Sequence, residues 1–220
     1  MDLSKFISLL EKNALWLARA DTFRDRHEGR FPNEMRKIIE KYYEDSGKND
    51  SGIVKDADDF QDYLIKNTFI SCWHKNTKEN MVMWEIYGRD SNSIAIQTSA
   101  GLISSNLICV IQGYSLILNS VDYRPLEEIP QTLRYEDLFF LKRPHFEFEN
   151  EVRLCLDTYS KFSPIKNNPY GHYVDISCNS FIEKILVHPD SQNWFIDVVS
   201  SIVDKYQIKA PIEKGVYGNT

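Results

Sequence analysis

"HFEFENEVRLCL", residues 145–156, is the stretch on which the fold reading turns. Glu147, Glu149 and Glu151 recur at every second position, with Phe146, Phe148, Asn150 and Val152 between them. That period of two predicts a long strand running through residues 145–159, with the three carboxylates on one face. Two readings fit such a face. It is a solvated sheet edge whose charges prevent aggregation, or it is a site that needs negative charge.

Outward from this strand, helical and strand patterns segregate. Leu3, Phe6, Leu9 and Leu10 predict a helix over residues 3–12, and "ALWLA" a strand after it. The loop "RADTFRDRHEGRFPNE" is dense in Arg and Asp. Residues 33 to 66 predict two polar helices separated by "DSGKNDSG", a helical insertion or cap. "TFISCW", "NSIAIQT", "NLICVIQGYSLIL", "GHYVDIS", "FIEKILVHP" and "APIEKGVY" read as strands. "KENMVMWEIYG" reads as a helix ending at Gly88. "RYEDLFFLKR" reads as a short helix broken by Pro144, and the segment from Asp190 to Tyr206 as another helix. The pattern predicts an α+β fold, with a mixed, mostly antiparallel sheet core and flanking helices, in a single domain over residues 1–220.

Composition narrows the function. The 220 residues are 42% hydrophobic and carry a formal net charge of -6. That charge disfavours non-specific nucleic-acid binding, which rests on a basic surface. No apolar run approaches the roughly 20 residues of a membrane span, and the N-terminal segment lacks the build of a signal peptide. The widely spaced Cys72, Cys109, Cys155 and Cys178 form no C-x-x-C pair, so neither structural zinc nor a disulfide framework is expected. A cytoplasmic protein with reduced cysteines is expected. Neither a Rossmann glycine fingerprint nor a P-loop is present, and no G-x-S-x-G surrounds Ser71.

Several segments occur in an order that resembles a bacterial domain-of-unknown-function family, number 2971. They are Phe23-Arg24-Asp25-Arg26-His27-Glu28, Cys72-Trp73-His74, Met83-Trp84-Glu85-Ile86-Tyr87, and Lys142 followed by Phe148-Glu149-Asn150-Glu151-Val152-Arg153. The first two depart from the family pattern; the last two match it. A more distant resemblance is to ADP-ribosyltransferases, which present a basic residue after the first core strand, a Ser or aromatic on a middle strand, and a late Glu. Arg19, Ser71 with Trp73, and Glu149-Asn150-Glu151 stand in that order.

This second resemblance implies an ADP-ribosyltransferase-like fold and NAD as substrate, with a role as a toxin or phage-defence effector. Loss of nicotinamide builds positive charge on the ribose, which a fixed carboxylate stabilises. Glu151 is the candidate for that task. Glu149, roughly 6.5–7 Å away on a strand of about 3.3 Å rise per residue, would hold or deprotonate the acceptor. Arg153 would orient both. Arg19, Arg24 or Arg26 would bind the pyrophosphate, and Trp73 or Tyr87 would stack on the nicotinamide. The expected partner is a small nucleotide, with no metal and no membrane; the acceptor, protein or nucleic acid, stays open. Two other readings stand beside this one. The first is a non-catalytic module that docks a protein through the polar helices and the acidic strand. The second is a metal-dependent nuclease built on Asp25, Glu28 and the glutamates.

Overall fold

A computed structural model describes residues 1–25, 27–45, 54–88, 90–107, 114–125, 128–129, 133–157 and 170–216. In chain order the first elements are α1 (Leu3–Lys12), β1 (Ala14–Arg19), a 3₁₀ turn (Ala20–Thr22), α2 (Asn33–Asp45), α3 (Ala57–Lys66) and β2 (Thr68–His74). Then come α4 (Met81–Met83), which runs into a π-helical turn (Trp84–Gly88), β3 (Ile94–Gln97), α5 (Ala100–Leu107), β4 (Ser115–Ser120) and β5 (Asp122–Tyr123). A 3₁₀ helix (Tyr135–Phe140), β6 (Leu141–Lys142), a second 3₁₀ helix (Pro144–Glu149) and β7 (Glu151–Asp157) follow. The chain closes through β8 (Gly171–Asp175), α6 (Cys178–Phe181), β9 (Lys184–Val187), α7 (Asn193–Lys205) and β10 (Ile212–Lys214). The fold is α+β, and its sheets are mostly antiparallel.

The chain divides into two compact units, each assembled from separated segments. One comprises Met1–Trp16, Asn76–Gln112 and Tyr173–Thr220; the other comprises Leu17–Lys75 and Gly113–His172. In the first, β3 pairs antiparallel with β9, and β9 pairs parallel with β10. Its helices bury single stripes: Phe6, Leu9 and Leu10 from α1, and Phe195, Val199 and Val203 from α7. Asp2 caps α1 by accepting the Lys5 N–H, and Asn13 ends it in the left-handed conformation.

The second unit holds most of the five-stranded sheet, ordered β4-β7-β2-β1-β8. β7 sits between β4 and β2, antiparallel to both. Its alternate residues Leu154 and Leu156 occupy one face. Glu151, Arg153 and Cys155 occupy the other, with their β2 register partners His74, Cys72 and Ile70. The helices cover this second face. Met35 and Ile39 of α2 and Ala57, Leu64 and Ile65 of α3 form one buried cluster with Ile70, Cys155, Phe31 and Leu138–Phe140. Polar outer faces and one apolar stripe are what α2 and α3 show in sequence, and burial of that stripe fixes them on the sheet.

Several expected boundaries move. The stretch 145–150 is not strand. Pro144 opens a 3₁₀ helix at its first turn, Asn150 ends that helix at φ 39°, and β7 starts only at Glu151. The expected strand over residues 106–118 divides: α5 reaches Leu107, burying Ile103 and Leu107 one turn apart, and pairing resumes at Ser115. Residues 108–113, and with them Cys109, lie outside the described residues, as does the linker 46–53.

Candidate functional site

The loop after β1, the second 3₁₀ helix and β7 deliver charges to one place in the second unit. Glu151 and Arg153 project from the same face of β7. The 3₁₀ turn brings Glu149 round to join them, although it is not on the strand. Lys142, the last residue of β6, hydrogen-bonds the Glu149 carboxylate and lies 3.5 Å from both Glu151 Oε1 and Glu28 Oε1. Arg153 donates from Nε to Glu151 Oε2 at 2.8 Å and from Nη1 to the Phe139 carbonyl at 2.7 Å. Its Nη2 lies 2.7 Å from Glu28 Oε2, a close charge pair without the alignment of a hydrogen bond. The backbone N–H of Glu151 donates to the Tyr123 hydroxyl at 2.7 Å. The ring Nδ1 of His74 sits 2.6 Å from the Glu149 carbonyl oxygen, where its protonated form donates.

Glu28 owes its position to its neighbour. Gly29 adopts φ 71°, and a Cβ there would lie 2.5 Å from the Phe139 ring. Only glycine allows the backbone that close an approach to Phe139. Gln61 of α3 then locks the turn, donating to the Gly29 carbonyl and accepting the Phe31 N–H.

The cluster is out of water. Glu149 is 4% exposed, Glu151 6% and Arg153 0%. Three carboxylates face two cations, leaving one negative charge without a counterpart inside the group; the adjacent Asp25–Arg143 pair at 3.2 Å is neutral. Burial raises the Glu28 pKa, against the pull of Arg153 and Lys142. Burial works against the charge on Lys142, but its bond to Glu149 and the nearness of Glu28 and Glu151 outweigh it and hold the ammonium charged. Glu28 therefore holds a proton more readily than a solvated carboxylate does.

A small cleft opens beside this cluster. Its polar lining is Asp25, His27, Glu28, Arg30, Arg124, Lys142 and Arg143. It encloses about 20 Å³, room for one water. Its carboxylates are Asp25 and Glu28; Glu149 and Glu151 lie outside the lining, joined to it through Lys142.

The residues expected to form the site are not all brought together. Glu149, Glu151 and Arg153 are. Arg19 is engaged in a two-point ion pair with Asp21, at 2.7 and 2.8 Å. Through Phe69 it is level with Leu156, roughly 16 Å along the strands from Glu151 at about 3.3 Å per residue. Ser71 pairs with Leu154 and Trp73 with Val152, which puts both on the sheet face opposite Glu151 and Arg153. Arg24 is exposed, and Arg26 lies outside the described residues. Tyr87 belongs to the other unit and is 48% exposed on the π-helical turn, while its neighbour Trp84 is buried. Sequence reasoning does not place Lys142 among the carboxylates, and it groups Glu28 with the glutamates only in the metal-nuclease reading. Both were named, Lys142 at the head of the Glu-x-Glu-x-Arg segment and Glu28 at the end of the arginine-rich loop. Gly29, adjacent to Glu28, was the local signal of a constrained turn.

Comparison with known protein families, curated proteins and solved structures finds no match to this chain.

Proposed function

We propose that the chain is an enzyme acting on an NAD-type nucleotide and that it transfers the ADP-ribose group to an acceptor. One observation carries this reading: a cleft lined by Arg30, Arg124, Lys142 and Arg143 lies beside a buried group of three carboxylates, of which Glu28 belongs to both. That polarity suits a substrate with anionic phosphates and a ribose that becomes cationic in the transition state. In the reaction the C1′–N bond breaks and nicotinamide leaves with the bonding pair. The acceptor oxygen or nitrogen attacks C1′, and its proton passes to a carboxylate. Glu151 and Glu149 supply the field that stabilises the ribose cation, and Glu28 takes the acceptor's proton. Phosphate recognition falls to Arg30, Arg124 and Arg143, since Arg19 is occupied by Asp21. A dinucleotide needs several hundred Å³, so binding requires the long side chains of the mouth to swing outward.

The test is nicotinamide release and label transfer from NAD in cell extract, compared across wild type, Glu151→Gln and Glu28→Gln. Release by the wild type that falls on the order of a hundredfold in Glu151→Gln supports the reading. Background release by all three proteins removes it.

A second reading has its own observation. Lys142 and Arg153 between them contact all three glutamates, and the group ties together the Glu28 loop, β6 and β7. Such a network also serves as the internal clamp of a non-catalytic binding module. Equal stability with and without NAD, together with unfolding of Glu151→Gln, favours that alternative. A divalent cation at the glutamates would have to displace an ammonium or guanidinium already there, which disfavours the metal-nuclease reading.

A further inference from the structure

Two guanidinium groups on the cleft wall are incompletely used. Arg124 pairs with Asp122 through one terminal nitrogen, and Arg143 pairs with Asp25 through one at 3.2 Å. The Nε–H of each is shielded from solvent and finds no acceptor among the described residues. A buried donor without an acceptor costs free energy, and a bound ion is one of the ordinary explanations for it. Both residues line the same cleft, with Arg30 and Lys142. Arginine offers its Nε and one terminal nitrogen as a fork that matches two oxygens of a phosphate. The Asp122 and Asp25 contacts occupy the terminal nitrogen of each fork, which leaves one Nε–H on each arginine for a shared oxyanion.

We infer that Arg124 and Arg143 form a subsite for one phosphate-type oxyanion at the mouth of the cleft. Its small volume suits a single phosphate edge entering while the rest of the ligand stays outside. The ligand class is a pyrophosphate, free or carried by a nucleotide. The inference rests on the nucleotide reading for the nature of its ligand, and on the arginine geometry alone for its place.

The experiment is thermal unfolding of the full chain, titrated with sodium pyrophosphate, ADP or adenosine against sodium chloride of equal ionic strength. A saturable rise in Tm with pyrophosphate and ADP, and none with adenosine, is expected. Tighter binding of ADP marks a nucleotide ligand; equal binding marks the phosphates alone. Arg124→Gln is expected to weaken pyrophosphate binding about tenfold, the worth of one charge-assisted contact. Arg124 is 34% exposed and its partner Asp122 46%, and such a pair adds little to stability, so the urea midpoint of Arg124→Gln should stay near the wild-type value and separate lost binding from lost folding. Arg143→Gln should weaken binding similarly. No rise beyond the chloride control, or unchanged affinity in both variants, overturns the subsite. The two readings fail separately. Pyrophosphate binding without nicotinamide release removes the enzyme but keeps the subsite, and nicotinamide release without a pyrophosphate response does the reverse.

Discussion

Arg153 has no solvent exposure, and its charge is balanced inside the protein by Glu28 and Glu151. Removing it strands Glu28 and Glu151 in a dry setting. Arg153→Met should therefore cost about 3–5 kcal/mol, the range for breaking a buried pair from one side, read by urea denaturation. Glu147, in the same run of acids, is exposed, and Glu147→Gln should stay within about 0.5 kcal/mol. Glu28 makes a prediction in pH. Its folded pKa lies above the usual 4.5, so across the window between these values the folded state binds more proton than the unfolded one. Glu28's contribution to stability is thus complete below about 4.5 and is lost as pH rises through the folded value. Wild type should gain stability relative to Glu28→Gln as pH falls from neutral toward that value, followed by urea midpoints at stepped pH.

At the scale of elements, the junction between the second 3₁₀ helix and β7 governs the site. Asn150 holds it with φ 39°, accepts the Lys75 N–H and donates through its side chain to the Lys75 carbonyl. Asn150→Gly should remain within about 1 kcal/mol, whereas Asn150→Val should cost at least about 1–2 kcal/mol, because a β-branched residue resists the left-handed region. Thermal unfolding of both variants checks the pair. Gly29→Ala should be worse than either, because its methyl must displace the Phe139 ring as well as adopt φ 71°; a drop of about 1–3 kcal/mol is expected. Much at this scale was legible beforehand. α1 and α7 follow from apolar spacing, which is local information, and α2 and α3 from two polar helical segments divided by a turn-rich linker. The course of residues 145–150 is not legible from their alternation, although Pro144 and Asn150 flank it. Alternation of Glu and Phe imitates a strand, and a 3₁₀ turn followed by one left-handed residue gives the same string. The two patterns separate only when Pro144 is weighted as a helix start.

At the scale of the whole chain, convergence of distant segments is what the sequence conceals. Strand order β4-β7-β2-β1-β8 places the late β7 between an early strand and a middle one. Nothing in local composition says that Glu28 will meet Arg153, or that Arg19 and Ser71 will face away from Glu151. Parity along β2 and β7 decides that, and parity depends on register. A chain ended after residue 150 lacks the strand that bridges β2 to β4. It should show no cooperative unfolding transition by circular dichroism, whereas the full chain unfolds with a sigmoidal one.

The central seat of β7 has a consequence for how the protein is made. Glu28 leaves the ribosome well before Lys142 and Arg153, the lysine and arginine that neutralise it, which lie beyond α2, α3 and β2 in the chain. Until then its carboxylate must stay hydrated, and the nascent loop cannot close over it. Final burial of that early acid therefore waits on a late strand, so biogenesis is timed by the slowest long-range pairing and not by the helices that form first.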